Sequence, residues 1–117
     1  MKVYIAGPMT GIKNYNREAF FEVGERVAEL GHTPVHTANM EDGLYYETYI
    51  HEGLARLSTC DAMLLLPGYE KSNGVCLHEL PYARQNGIHI YETLQDFIDA
   101  ECIRKTLFDG VKRWSQS

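Results

Sequence analysis

The sequence lacks any pair of cysteines at the spacing of a redox or zinc motif. Its three cysteines, Cys60, Cys76 and Cys102, are odd in number and lie far apart along the chain. They therefore indicate free thiols in a reducing compartment, and we expect a cytoplasmic protein without a disulfide framework. The five histidines form no HExxH pattern, so neither a metal nor another cofactor is expected.

Long apolar runs and an excess of positive charge are also missing. No stretch approaches the roughly 20 apolar residues that cross a bilayer, and the opening MKVYIAGPM is too short for a signal peptide. The 11 Lys and Arg are outnumbered by 16 Asp and Glu, which gives a formal net charge of −5. Such a chain is poorly suited to cover a nucleic-acid backbone, although one small anionic ligand remains compatible with it.

The composition is typical of a single globular domain that spans residues 1–117. At 44% hydrophobic residues the chain is too apolar for a disordered protein. Its length allows it to bury about two thirds of its extended-chain surface, so it needs no metal or disulfide to fold.

Short apolar runs alternate with segments of helical periodicity along the chain. The apolar runs predict strands at Lys2–Ala6, His32–His36, Asp61–Leu66 and Ile88–Tyr91. The helical spacing of apolar residues predicts helices at Phe20–Leu30, Tyr46–Leu57, Gly74–Asn86 and Leu94–Trp114. Pro34 places the second strand at an edge, and the run DAMLLL is typical of a central strand that is buried on both faces.

The alternation of strands and helices predicts the α/β class. We expect a three-layer sandwich of the Rossmann-like or flavodoxin-like type, with a parallel sheet of four to five strands. In such sheets ligands bind beyond the carboxyl ends of the strands. The loops of interest are therefore Gly7–Tyr15, Thr37–Gly43 and Pro67–Asn73.

Two of these loops carry residues suited to binding a small ligand. In the first, Gly7, Pro8, Met9, Thr10 and Gly11 follow a strand, and the glycines allow a ligand to approach the backbone. A tight turn without a ligand explains the same residues equally well. In the third, Ser72, Asn73 and Gly74 open a helix whose free N–H groups can bind a phosphate or a sugar hydroxyl.

Glu79 and Asp61 are the candidate reactive carboxylates. Glu79 lies near the start of the third predicted helix, where it is either a nucleophile toward a sugar anomeric carbon or an ordinary surface residue. Pro81 either kinks that helix or forces it to start later. Asp61 is either a solvated strand start or an acid held at a cleft. Tyr45 or Tyr46 can stack on a base, or belong to the core.

Three segments together resemble a known enzyme family. They are YIAGPMTG at residues 4–11, CDAMLLLPGYEKSNG at residues 60–74, and the E-x-x-x-A pattern from Glu79 to Ala83. They are similar to the nucleoside 2-deoxyribosyltransferase-like proteins, and most to the short subgroup found in phages and bacteria. The resemblance runs from about Met1 to Tyr91.

The resemblance implies a function and roles for particular residues. Family enzymes cleave the N-glycosidic bond of 2-deoxynucleosides or their 5-monophosphates, through a covalent intermediate on a glutamate. It implies that Glu79 is the nucleophile and that Tyr4 orients it. It further implies that Ser72 and Gly74 hold the sugar hydroxyl or the phosphate, that the loop of residues 7–11 borders the sugar and base, and that the protein is oligomeric.

Two positions depart from the family pattern. The family has S-x-G-x-x-x-E, whereas Glu79 here comes seven residues after Ser72, and His78 stands at the family's position. A bulge, or a helix that starts late at Pro81, would restore Glu79. The family's second-helix aspartate falls on Gly53, and the adjacent His51 and Glu52 would point elsewhere. An enzyme and a non-catalytic nucleotide-binding protein are therefore both hypotheses.

The last predicted helix matches nothing in the family pattern. It carries an apolar stripe that is typical of a core or of a homodimer face. The stripe consists of Phe97, Ile103, Leu107, Val111 and Trp114. Together with Phe108, it also allows a third hypothesis, that the chain is purely an interaction protein.

Overall fold

The computed structural model describes the backbone of residues 1–116 and the side chains of residues 1–107. Strands and helices alternate over this part of the chain, and each predicted element is confirmed with ends shifted by a few residues. The strands are β1 (Lys2–Ala6), β2 (Thr33–Val35), β3 (Ala62–Leu65) and β4 (His89–Tyr91). The helices are α1 (Arg17–Glu29), α2 (Tyr46–Leu57), α3 (Leu80–Gln85) and α4 (Leu94–Gln116).

The strands form one parallel sheet in the order β2-β1-β3-β4. Tyr4 of β1 pairs with Val35 on one side and with Met63 on the other, so β1 and β3 are the central strands. β2 lies at an edge, as Pro34 predicts, and every residue of β3 is buried. The predicted fold class, a flavodoxin-like parallel sandwich, is confirmed.

Helices cover both faces of the sheet, because successive side chains of a buried strand point to opposite sides. On one face Val3 and Leu64 pack with Val27 of α1 and Phe97 of α4. On the other face the strand residues pack with α2, α3 and the turn before α3. That second cluster comprises Tyr4, Ala6, Leu57, Cys60, Met63, Leu65, Val75, Leu80 and Ala83.

The apolar stripe of α4 divides into a buried part and an exposed part. Phe97 is fully buried, but Ile103 and Leu107 are 62% and 65% exposed. A core role is therefore wrong for these two residues. The side chains of Phe108, Val111 and Trp114 lie outside the described residues. Within the described part of the chain, no helix has the length and apolarity to cross a membrane.

The third predicted helix contains a π-helical turn close to its start, after the α-helical residues Asn73 and Gly74. Residues Val75–Glu79 form this turn, and the Leu80 N–H donates to the Val75 carbonyl five residues back. α3 follows without a break at Leu80, and Pro81 stands in its first turn. Of the two possibilities that the sequence left open for Glu79, the bulge is present. The late start at Pro81 is wrong, because helical backbone already begins at Asn73.

Candidate functional site

A cleft of about 630 Å³ opens at the carboxyl ends of β1 and β3. The chain leaves β1 toward β2 and leaves β3 toward β4, so the cleft lies where the strand order reverses. All three predicted loops contribute to its walls: residues 7–10 from the first, Thr37 and Gly43 from the second, and residues 71–73 from the third. α2 adds Tyr46 and Ile50.

Glu79 and Tyr4 meet at the inner end of this cleft. The Tyr4 hydroxyl donates a hydrogen bond to Oε2 of Glu79, and both side chains line the cleft. Tyr4 is held in the middle of the sheet with 1% of its surface exposed. Glu79 is the last residue of the π-helical turn, and that turn directs its carboxylate toward Tyr4.

Burial shapes the proton equilibria of this pair. It raises the pKa of Glu79 to about 7, although the hydrogen bond from Tyr4 acts in the lowering direction. Burial also raises the pKa of Tyr4 well above its ordinary value, and the neighbouring carboxylate raises it further. Near neutral pH Tyr4 is therefore a neutral donor, while Glu79 exchanges between its charged and neutral forms.

Gly53 of α2 packs its backbone directly against this pair. A Cβ added at Gly53 would lie 2.8 Å from Oε2 of Glu79 and 3.1 Å from the Tyr4 hydroxyl. No side chain fits there unless the carboxylate moves. The enzymes that the chain resembles have an aspartate at this point of the sequence. Here the residue is Gly53, and the Glu79 carboxylate fills the space that a side chain at position 53 would need. Glu52 instead pairs with Arg56 at 3.0 Å, away from the cleft.

The first loop lines the cleft, but its leading glycine has a packing reason. A Cβ added at Gly7 would lie 2.7 Å from the Cβ of Leu66. Close contact between the ends of β1 and β3 therefore requires glycine here, whether or not a ligand approaches. Pro8, Met9 and Thr10 line the cleft next to it. Gly11 has a φ of +81°, which favours glycine, and it stands outside the cleft walls.

The third loop brings its predicted residues to the cleft mouth. Ser72, Asn73 and Gly74 all line the cleft. The Ser72 hydroxyl accepts a hydrogen bond from the Val75 N–H at 3.3 Å, so it also caps the π-helical turn. A Cβ added at Gly74 would lie 3.2 Å from Cδ1 of Ile50, which makes this helix start a tight contact with α2.

Asp61 is not part of the site, and its predicted role as an acid at the cleft is wrong. It precedes β3, is exposed, and accepts a hydrogen bond from the Lys2 backbone N–H at 2.8 Å. Because parallel strands all begin at one edge of the sheet and end at the other, this position is at the edge opposite the cleft. The alternative interpretation, a solvated strand start, is the correct one.

Arg17 is a cleft residue that the sequence analysis missed. Its guanidinium pairs with Asp42 and donates to the Ala38 carbonyl at 3.1 Å, so it joins the first loop to the second. Before it, residues 14–16 all have positive φ, and Asn16 donates to the Pro8 carbonyl at 3.0 Å. The sequence offered no signal for the pairing of Arg17 with Ala38 and Asp42, which lie more than 20 residues further along the chain.

The tyrosines of the second predicted helix separate into two groups. Tyr46 lines the cleft together with Tyr49, whereas Tyr45 is 82% exposed and is not part of the walls. Tyr46, Ile50 and Gly53 follow one another at steps of four and three, so one face of α2 is turned to the cleft. This spacing was the available signal for Gly53. Over the described residues, no three metal-ligating side chains are grouped.

A search of curated proteins gave no match. The model of one protein family matches residues 1–92, which include the sheet, the cleft and the Tyr4–Glu79 pair, but not α4. Because this match covers most of the 117 residues, the chain belongs to the family described as a domain of unknown function, DUF4406.

Proposed function

We propose that this protein cleaves or transfers the N-glycosidic bond of a 2-deoxynucleoside or its 5-monophosphate, with Glu79 as the nucleophile. The observation that carries the proposal is the Tyr4–Glu79 hydrogen bond at the inner end of the cleft. A partly buried carboxylate, oriented by a neutral donor, is the group that attack on an anomeric carbon requires. The resemblance of residues 1–91 to nucleoside 2-deoxyribosyltransferase-like proteins supports the same chemistry.

The proposed reaction has two displacements at one carbon. A Glu79 carboxylate oxygen forms a bond to C1 of the sugar, the bond from C1 to the base nitrogen breaks, and its electron pair leaves with the base. Water or a second base then attacks C1, the bond from C1 to the Glu79 oxygen breaks, and its electron pair returns to the carboxylate. An attacking water gives up one proton, which passes to the departed base or to the solvent. Tyr4 donates to Oε2, so it fixes the carboxylate while the other oxygen is free to attack.

Polar groups at the cleft mouth suit the remainder of a nucleotide. Ser72 offers a hydroxyl, and Lys71 and Arg17 contribute the positive charges of the cleft wall. We propose that these groups bind the sugar hydroxyl or the 5-phosphate, because charged donors make the stronger hydrogen bonds to phosphate oxygens.

A second candidate, a protein that binds a nucleotide without turnover, is favoured by Gly53. The Gly53 backbone stands beside Glu79 where the resembling enzymes have an acid. General acid catalysis contributes about 10² to 10⁴ in rate. A site without it can hold a nucleotide in the same cleft and leave the glycosidic bond intact.

Incubation with a panel of deoxynucleosides and their monophosphates separates the two candidates. Release of free base supports the enzyme, whereas thermal stabilisation by an intact ligand supports the binding protein. Glu79→Gln should abolish release and remove any glycosyl adduct seen by mass spectrometry. Tyr4→Phe keeps the ring in the core and should lower the rate by about 10- to 100-fold, since it removes one hydrogen bond to a charged group. Unchanged release by Glu79→Gln would end the nucleophile assignment.

A further inference from the structure

The cleft contains one carboxylic acid among the residues that the structure describes there. Its other titratable side chains are phenols and strong bases. They are Tyr4, Tyr15, Arg17, Tyr46, Tyr49 and Lys71. A phenol, with an ordinary pKa near 10, is a poor proton donor at neutral pH, and an ammonium or guanidinium ion is no better.

The surroundings of Glu79 also leave no place for a second acid on α2. Even a Cβ added at Gly53 would lie 2.8 Å from Oε2 and 3.1 Å from the Tyr4 hydroxyl. The next residues on that face, Ile50 and Tyr46, lead away from Glu79 toward the mouth of the cleft. The side chains that α2 contributes to the cleft wall, Tyr46, Tyr49 and Ile50, therefore include no carboxylic acid and no imidazole.

This arrangement selects among leaving groups. When a neutral base departs, the electron pair of the glycosidic bond makes it an anion, and it needs a proton that this cleft does not supply. When the base is already a cation, the same electron pair makes it a neutral molecule. Its departure needs no proton, so atoms and charges balance with Glu79 as the only reacting group of the protein.

Building on the proposed function, we propose that the substrates are nucleosides or nucleotides whose base already carries a positive charge. N7-alkylated purines and N-glycosyl pyridinium compounds share this chemistry. The cleft suits such a base in two further ways. Glu79 provides a negative charge beside the reacting carbon, and Tyr46 and Tyr49 provide aromatic rings on the same wall, against which a cation is stabilised.

The test uses a matched pair of substrates and the full chain. The pair is 7-methyl-2-deoxyguanosine 5-monophosphate and its unmethylated parent, with release of free base followed by chromatography. The uncatalysed rates of both are measured in the same buffer. The preference is the rate of base release from the methylated substrate divided by that from its parent. We expect the preference with the enzyme to equal the uncatalysed one to within about tenfold. A protein that supplied an acid would reduce this preference by about 10² to 10⁴.

Each outcome separates the two proposals. A preference reduced by 100-fold or more, with Glu79-dependent cleavage of both substrates, overturns the charged-base proposal and leaves the proposed function in place. Cleavage of neither substrate, nor of the pyridinium analogue 2-deoxynicotinamide mononucleotide, overturns both. Glu79→Gln serves as the control in each arm, because release that persists in this variant does not depend on the Glu79 carboxylate.

Discussion

At the scale of single residues, the site depends on a contact between three groups that are distant in the sequence. Tyr4 comes from β1, Gly53 from α2, and Glu79 from the turn before α3. The tyrosine holds the carboxylate through a hydrogen bond, and the glycine leaves the space in which the carboxylate stands. The position of the Glu79 carboxylate is therefore set by these two neighbours.

Gly53→Ala tests this contact. The added methyl group would lie 2.8 Å from Oε2, so the carboxylate must move, and we expect glycosidic cleavage to fall by about tenfold to 100-fold because the nucleophile is misplaced. Gly24→Ala in α1 is the matched control, since its Cβ would meet Pro34 at an ordinary 3.5 Å. Both variants gain the same helix propensity. Full activity of Gly53→Ala would show that the contact is unimportant.

The raised pKa of Glu79 makes a prediction about stability. Its pKa is about 7 in the folded protein and 4.5 ordinarily, so the folded state favours the protonated form. The resulting stabilisation is fully present below pH 4.5 and is lost as the pH rises through 7. Relative to Glu79→Gln, the wild-type free energy of unfolding should fall by about 3 kcal/mol across this range. Urea denaturation of both proteins at several pH values measures it, and parallel curves would contradict it.

At this scale, the sequence predicted the site residues that belong to a local pattern. Glu79, Ser72 and the first loop stood out through their neighbours in the chain and through a family resemblance. Asp61 was misassigned because a carboxylate beside an apolar strand looks the same at either end of the strand. The helical spacing of Gly53 indicated which face it shares with Tyr46 and Ile50, but not its contact with Glu79. Arg17 acts through partners that are distant in the sequence, and local patterns do not record such contacts.

At the scale of elements, the π-helical turn explains how an extra residue is accommodated. A π turn holds one more residue than an α turn, and in a regular helix one added residue would rotate Glu79 by about 100°. The turn at Val75–Glu79 absorbs this residue before α3 begins. The seven-residue spacing from Ser72 and the contact with Tyr4 are therefore compatible.

Deletion of Leu77 should convert this turn into a regular α turn. Leu77 is 65% exposed, so its loss removes little packing. The deletion shortens the spacing from Ser72 to Glu79 from seven residues to six, as in the nucleoside 2-deoxyribosyltransferase-like proteins that the chain resembles. We expect the variant to remain folded. We also expect the glutamate that is Glu79 in the full chain to keep its pKa of about 7, which NMR titration measures. Deletion of the exposed Gln85 is the control, because α3 has no extra residue to give up there. If both deletions unfold the protein equally, the turn has no such tolerance.

The elements themselves were largely predictable, because apolar periodicity is a local property. Pro34 identified the edge strand, whereas the late start expected from Pro81 is not found, because helical backbone already begins at Asn73. The π turn could be named in the sequence only as a bulge. Its geometry depends on Glu79 meeting Tyr4 and on the Ser72 hydroxyl capping the Val75 N–H, and both contacts form only in the folded chain.

At the scale of the whole molecule, the family match ends before an element on which the core depends. The match stops at residue 92, yet Phe97 of α4 is fully buried against Val3, Val27 and Leu64. The start of α4 therefore closes one face of the sheet. The molecule measures 59 Å in its longest direction, against 29 and 21 Å in the others.

Phe97→Ala should destabilise the whole molecule. Truncation of a fully buried phenylalanine leaves a cavity and costs about 3–5 kcal/mol of unfolding free energy. Ile103→Ala, on the exposed part of the same helix, should change it by less than about 0.5 kcal/mol. Denaturant unfolding of the two variants measures the difference. Equal small effects would mean that α4 is not part of the core.

Self-association remains a prediction at this scale. Ile103 and Leu107 lie four residues apart, so they share one face of α4, and both are exposed. A second copy of the chain is the partner that the sequence analysis favours for such a face. Light scattering on the full chain tests it, and a species of 13.4 kDa alone would contradict it.

The π turn has a consequence for how related proteins are recognised. A search pattern that fixes the distance between the serine and the glutamate rejects any homologue with an insertion at this point. The hydrogen bond between Tyr4 and Glu79 is kept in this chain, because the π-helical turn accommodates the extra residue. Patterns with a variable gap after the glycine, combined with a tyrosine in the first strand, would gather both kinds of sequence into one set of candidates for assay.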